Sequence, residues 1–437
     1  MIICKYLKFT KYVQGDKMIK LDLNLINSDV ERCLLCKVPR CKNNCPINTD
    51  IPKVIELYRE NKIDEAGELL FKNNPLSVVC SLVCPHENQC SGNCVRGIKG
   101  EPIKFGDIEH YISMEYLKNM KIEEVKRNGI KIAIIGSGPA GVAIAFILAQ
   151  RGYDITIFER KHKLGGVMRY GIPEYRLPND ILDLIEERLL NLGVKIKYNT
   201  LVGPIITLDR LLEDGYKSVF IGTGVWNPKT LNIKGEMSGH VNYAINYLMS
   251  PETFRLGKKV LVIGAGNVAM DAARVAKRSG CDVSVVYRKG FEEMTATKLE
   301  IREAKEDGVD FILFKSPLEI LDHGVKFITV KKTISEDGKA IFTNIEGSEE
   351  IIECDSVIIA VSQSPKNNIV ANTDNLETSR GGLLAVDEFG HTTREGVFAS
   401  GDVVTGAKTV VEAVANAKKA ADAMDEYCKK LMNIHFM

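Results

Sequence analysis

One stretch of this chain occurs twice, and the repeat restricts the folds open to it more than any other feature. GSGPAGVAIAFILAQRGYDITIFER (136–160) aligns without gaps on GAGNVAMDAARVAKRSGCDVSVVYR (264–288), at a constant offset of 128 residues. Each copy follows a short apolar run, KIAII or KVLVI, and so reads as strand, glycine turn, apolar-faced helix and second strand. Such units build a parallel sheet with helices on its faces, and the glycine turn suits a dinucleotide. Two modules of this kind are expected in succession. Further β-rich runs, SVFIGTG (218–224), VKFITVKKT (325–333) and SVIIAVS (356–362), lie between and after them.

In the first copy Gly136 permits the tight turn and Gly138 lets a pyrophosphate approach backbone N–H groups at the helix N-terminus. Gly141 lets the helix pack closely on the strand, and Pro139 and Ala140 complete the turn. Glu159 ends the second strand, where a carboxylate accepts hydrogen bonds from a ribose 2′-OH, and Arg160 follows it. Two distant segments favour FAD over NAD at this site. HKLGGVMRYGIP (162–173) offers Gly166, next to Gly165, for close backbone approach. GVFASGDVVTGAKTVVEAVANAKKAADAM (396–424) runs a strand into Gly401 and Asp402, then a helix opened by Thr409 and Val410. That segment resembles the flavin-ribityl motif of flavoproteins with two dinucleotide-binding domains, in which the aspartate reaches a ribityl or pyrophosphate group.

The second copy carries Gly264, Gly266 and Ala269 in the same places, with Asn267 and Val268 between them. The end of its second strand differs. Where the first copy has Glu159–Arg160, this one has Tyr287–Arg288, followed by Lys289. An acid there would repel a ribose 2′-phosphate. Its absence, with two cations adjacent, predicts NADPH over NADH.

The cysteines are distributed unevenly. Eight of twelve fall between Cys33 and Cys94. The N-terminus, MIICKYLKFTKYV, has lysines in every apolar stretch, so no secretory segment is expected, and Met18 is an alternative start. Clustered cysteines without an export signal point to metal rather than disulfides and to a cytoplasmic location. The groups read C-x2-C-x4-C-x3-C-P (Cys33, Cys36, Cys41, Cys45) and C-x3-C-P-x4-C-x3-C (Cys80, Cys84, Cys90, Cys94). Four-cysteine groups with a trailing proline look like iron–sulfur ligation; structural zinc prefers two CxxC-type pairs. Eight cysteines would serve two 4Fe–4S clusters, and the count leaves open which cysteine serves which. Cys281, Cys354 and Cys428 are isolated and read as packing residues, and neither module has a CxxC nearby, which disfavours a disulfide relay. Lys plus Arg total 58 against 57 Asp plus Glu, so bulk charge attracts neither nucleic acid nor an anionic membrane. No apolar run approaches the roughly 18 residues of a membrane span.

Over residues 25–430 the chain resembles the glutamate synthase small-subunit family. That family includes the flavin-binding part of dihydropyrimidine dehydrogenase and the large subunit of a bifurcating NADH-dependent ferredoxin:NADP oxidoreductase. RCLLC…C…CP (32–46), VCPHENQCSGNC (83–94), IGSGPAG, YGIPEYRLP (170–178), IGTG, VIGAGNVAMD and ASGD carry the resemblance. It implies an α/β fold of two Rossmann-like domains preceded by a helical iron–sulfur domain. The expected segments are 18–125 for two clusters, 126–245 with 360–437 for FAD, and an inserted 246–359 for NADPH. It implies that Cys33, Cys36, Cys41 and Cys94 hold one cluster, and that Cys45, Cys84, Cys90 and Glu109 hold the other. His110 is a lesser alternative to Glu109, and Cys4 and Cys80 have no ligand role. The family often has Gly where Ser362 stands and Pro where Thr295 stands.

The expected activity is that of an NADPH-dependent oxidoreductase, with electrons passing through FAD and two clusters to a partner. Hydride transfer between nicotinamide and flavin demands no side-chain acid or nucleophile, so no catalytic residue is nominated. Nothing in the chain resembles an amidotransferase or a pyrimidine-reducing barrel. A redox partner subunit is therefore expected, either like the glutamate synthase large subunit or like the FMN-containing subunit of a dihydropyrimidine dehydrogenase. A stand-alone reductase or a bifurcating subunit is the alternative, with no nucleic acid or membrane partner.

Overall fold

The computed structural model describes residues 22–121 and 124–434; Cys4 and Met18 lie outside the described residues. Two compact units are present, one of Asn24–Lys229 with Ser362–Met437 and one built on Thr230–Val361.

The first unit holds a five-stranded parallel sheet in the order Val397–Ala399, Tyr216–Ile221, Lys131–Ile135, Asp154–Phe158, Lys195–Lys197. The strand before the first glycine turn is thus central. Ile132, Ala133, Ile134 and Ile135 are all buried, which is why KIAII is apolar throughout rather than alternating. The helix Pro139–Gln150 follows with proline in its first turn, where a missing N–H breaks no helical bond. The cysteine-rich segment is helical, with Leu23–Arg32, Ile51–Arg59, Ile63–Asn73, Ser77–Val83 and Phe105–Asn119 as its longer helices. Phe71, Leu76, Val78 and Val79 of this segment belong to the same buried cluster as the glycine-turn helix. Phe71 meets Phe146 of the glycine-turn helix edge to face, at 5.2 Å between centroids. Lys418 of the last helix, Val410–Ile434, donates to the main-chain and side-chain oxygens of Asn73 at 2.7 and 2.8 Å.

The second unit repeats the design. Its parallel sheet runs Val241–Tyr243, Ser356–Ile359, Lys259–Ile263, Asp282–Tyr287, Asp310–Leu313, again with the pre-turn strand central. Strand Lys131–Ile135 and helix Pro139–Gln150 recur 128 residues on as Lys259–Ile263 and Asn267–Arg278. The sequence repeat is therefore a repeat of structure. An antiparallel sheet is added, in which Gly324–Ile334 pairs with Lys315–Leu321, Ala340–Asn344 and Glu350–Glu353. Among the described residues no helix is long and apolar enough to cross a membrane.

Candidate functional site

The first glycine turn is seated on the end of the neighbouring strand. Gly136 has φ +97°, and a Cβ there would stand 2.7 Å from the Gly222 carbonyl oxygen. Gly138 caps the helix in extended conformation. Gly166 comes so close that its Cβ would lie 2.7 Å from the Gly138 Cα, and a Cβ on Gly401 would lie 3.2 Å from that of Ala140. Gly138, Gly166 and Gly401 thus leave bare backbone around one helix N-terminus, and Pro139 and Ala140 begin that helix. Such a cradle fits a pyrophosphate.

Glu159 is buried here. One carboxylate oxygen accepts from the Ser137 N–H at 2.9 Å and its hydroxyl at 2.6 Å, and the other accepts from the Lys161 N–H at 2.8 Å. The carboxylate ties the turn to the second strand, with about one lone pair left for a ribose. Arg160 lies over the Trp226 ring at 5.1 Å. Asp402 begins a short helix and accepts from the Lys408 N–H at 3.2 Å. Burial, more than any other influence, pushes its carboxyl up to about 6. Thr409 caps the last helix by exchanging hydrogen bonds with Glu412, and Val410 is its first residue.

In the second unit Gly264 has φ +142°, and a Cβ would stand 2.3 Å from the Ala360 carbonyl oxygen. That is the place Gly222 takes in the first copy. Gly266 caps the helix, Asn267 and Val268 open it, and Ala269 is wholly buried beneath it. The Asn267 side chain accepts from the Thr297 N–H at 3.0 Å. Arg288 is exposed. Lys289 lies over the Phe342 ring at 4.9 Å. Tyr287, where the first copy has its acid, donates its hydroxyl to the Glu293 carbonyl at 2.9 Å. The strand thus leads into Arg288 and Lys289, and the nearby Glu293 carboxylate is engaged by the Gly290 N–H at 3.0 Å and by Lys332; two cations at that end fit a 2′-phosphate.

The cysteines form two groups, each drawn from both sequence runs. Cys33, Cys36, Cys41 and Cys94 are electrostatic neighbours, and burial raises the Cys33 and Cys41 thiols, the latter to about 11. Arg59 donates to the carbonyls of Val30, Glu31 and Cys33, and its charge partly offsets that rise at Cys33. Cys45, Cys80, Cys84, Cys90 and Glu109 line a space of ≈ 320 Å³, part of it open to solvent, together with His86 and Val411. Burial pushes Cys90 up to about 12. A hydrogen bond with Cys80, then burial, raises Cys84. Burial also raises the Glu109 carboxyl, and the Cys80 thiol adds to this. Thiols and a carboxyl crowded and buried in this way are the donors that a cluster's iron would hold deprotonated. Among the described residues no three His, Cys, Asp or Glu side chains draw together as one metal ion requires. A four-iron cluster spans more space than one ion, and the donor set suits it.

Three placements were not legible from spacing. Cys80, expected to have no ligand role, lines the same space as Glu109. His110 does not line it; its Nδ1 faces the Ser81 hydroxyl at 3.1 Å. His86 does line it. The residue is half-buried, but its Nε2 is fully enclosed, and burial pushes its pKa down to about 4, so the ring is neutral. Spacing marks the proline after Cys84 but carries no signal for the histidine that follows it.

Residues 130–421 match the family described as pyridine nucleotide-disulphide oxidoreductase, and residues 15–121 match dihydropyrimidine dehydrogenase domain II, 4Fe-4S cluster. The glutamate synthase [NADPH] small chain of Escherichia coli K12 is 32% identical, with 91% of this chain and 90% of that one covered. The NAD-dependent dihydropyrimidine dehydrogenase subunit PreT of the same organism is 33% identical, with 91% and 93% covered. FprA from Mycobacterium tuberculosis, solved in complex with NADPH, shares the fold with a TM-score of 0.59 at 18% identity, over 70% of this chain and 86% of that one. Two glycine-turn modules and a cysteine segment built into the first of them agree with these relationships, and the chain belongs to the glutamate synthase small-chain family of pyridine nucleotide-disulphide oxidoreductases, as an NAD(P)H-dependent flavoprotein with a 4Fe-4S domain.

Proposed function

We propose that the chain oxidises NADPH and passes the electrons through FAD and two four-iron clusters to a partner subunit, as a glutamate synthase small-chain homologue. In this reading residues 18–125 carry the clusters, 126–245 and 360–437 bind FAD, and 246–359 bind NADPH. Cys33, Cys36, Cys41 and Cys94 ligate one cluster; Cys45, Cys84, Cys90 and Glu109 ligate the other. A bound flavin supplies the exchange between a two-electron donor and one-electron carriers, and iron–sulfur clusters relay single electrons.

The observation that carries this reading is the position of Val411. It follows Thr409 and Val410 at the start of the last helix, where the flavin motif ends, and it lines the space shared by Cys45, Cys84, Cys90 and Glu109. One helix turn therefore serves both the flavin segment and the second cysteine group. The first group stands next along the chain, since Cys41 and Cys45 share one run and Cys90 and Cys94 the other. The chain's own work is placement. The bare glycine turn takes the pyrophosphate, Glu159 fixes the turn, and Arg288 with Lys289 select the nicotinamide nucleotide.

Anaerobic titration of the purified chain with NADPH and with NADH tests the reading. Flavin absorbance is expected to bleach at far lower NADPH than NADH. Preference for NADH would refute the roles of Arg288 and Lys289 and favour a reading like that of the NAD-dependent dihydropyrimidine dehydrogenase subunit.

A further inference from the structure

His86 sits in the loop CPHENQC, between Cys84 and Cys90. Its ring rests on the first turn of helix Phe105–Asn119. A Cβ on Gly106 would stand 2.8 Å from its Cε1 and 3.0 Å from its Nε2, so only glycine at 106 leaves room for the imidazole. Glu109 lies three residues along the same helix, on the same face.

The loop is held from its other side too. The His86 N–H donates to the Cys84 carbonyl at 2.8 Å, and the Gly92 N–H donates to the His86 carbonyl at 3.0 Å. Gly92 admits no side chain, because a Cβ would fall 1.7 Å from the Glu87 carbonyl oxygen. The backbone that carries the ring is therefore fixed in place.

What the ring is placed for is shown by its free nitrogen. Nε2 is buried and has no hydrogen-bond partner among the described residues. An enclosed, unpaired nitrogen is costly, so native sites keep one only where something else satisfies it. The ring lines the space of Cys45, Cys84, Cys90 and Glu109. Thiolates and sulfides offer acceptors and no donors. The nitrogen that meets them must carry a proton, and an imidazole can place one on Nε2.

We propose that His86 is a positioning residue of the second cluster, whose Nε2–H donates a hydrogen bond to a sulfur of that cluster or of its cysteine ligands and so raises its reduction potential. Hydrogen bonds to the sulfurs are one of the means by which a protein sets such a potential. The inference rests on the reading that Cys45, Cys84 and Cys90 hold a cluster.

The test uses the full chain purified without oxygen, as wild type, His86→Leu and His86→Gln. Iron and sulfide are measured first. Iron for only one cluster in the wild type would sink the underlying reading, whatever His86 does. With two clusters present, each protein is titrated with reductant and followed by electron paramagnetic resonance. His86→Leu is expected to lower the midpoint potential of one cluster and leave the other unchanged. His86→Gln, which keeps an N–H donor, is expected to lie nearer the wild type. A potential in His86→Leu that is unchanged or raised overturns the inference, as does a His86→Gln value no closer to wild type. Loss of a cluster from either variant also overturns it, because His86 would then be a ligand or an assembly element.

Discussion

A Cβ on Gly141 would stand 2.1 Å from the carbonyl oxygen of Gly136, the turn that opens the same helix. The obstacle is backbone, so it cannot rotate aside. Gly141→Ala is expected to destabilise the chain by about 2–3 kcal/mol and to reduce the flavin retained on purification. The equivalent position of the second copy already carries a wholly buried alanine, Ala269. There the reverse change, Ala269→Gly, is expected to cost only about 1 kcal/mol, through helix propensity. Urea unfolding of the two variants measures the contrast.

Ser362 has φ +92°, a conformation that suits glycine. Its carbonyl accepts from the Lys229 N–H at 3.0 Å, next to the ribbon that pairs Asn227–Pro228 with Gln363–Ser364. A side chain in the left-handed region is strained by about 1–2 kcal/mol. Ser362→Gly is therefore expected to stabilise the protein by about 1 kcal/mol, because the freer unfolded chain offsets part of the relief. A lower midpoint in thermal unfolding would contradict this.

Asp402 sets a pH dependence. Its carboxyl is raised on folding to about 6, chiefly by burial, with the Glu412 charge adding to the rise and the Lys408 N–H opposing it. A raised carboxyl contributes its stability fully below its unfolded value near 4 and loses it as pH climbs through 6. The flavin-free protein should thus weaken by about 2 kcal/mol between pH 4 and pH 6.5, relative to Asp402→Asn measured over the same range. Parallel pH profiles for the two proteins would show that Asp402 does not titrate as described.

Arg288 is exposed at the end of its strand, with no carboxylate at the position where the first copy has Glu159. Arg288→Ala is expected to raise KM for NADPH roughly 10- to 100-fold, as for loss of a charge-assisted hydrogen bond, and to leave KM for NADH within about twofold. Equal losses with both nucleotides would assign Arg288 a structural role.

Much of this molecule was legible because its two modules repeat without gaps. A parallel sheet buries both faces of its central strands, so KIAII and KVLVI declare themselves, and the glycines mark the turns. The antiparallel sheet of 315–353 was legible only in part, because strands such as Ala340–Asn344 are mostly exposed and lack a continuous apolar run. The second cysteine group was harder still. Glu109 reaches it from helix Phe105–Asn119, with no local spacing signal, and its place came from the resemblance alone. Cys80 and His86 meet it through tertiary packing on Gly106 and Glu109, which no pattern in the loop encodes.

The central claim is that both cysteine groups hold four-iron clusters. Iron, acid-labile sulfide and flavin, measured per chain on protein purified without oxygen, test it most directly. The account predicts about eight iron atoms, about eight sulfides and one FAD, as two four-iron clusters require. About four iron atoms per chain, with flavin at full occupancy, would contradict it.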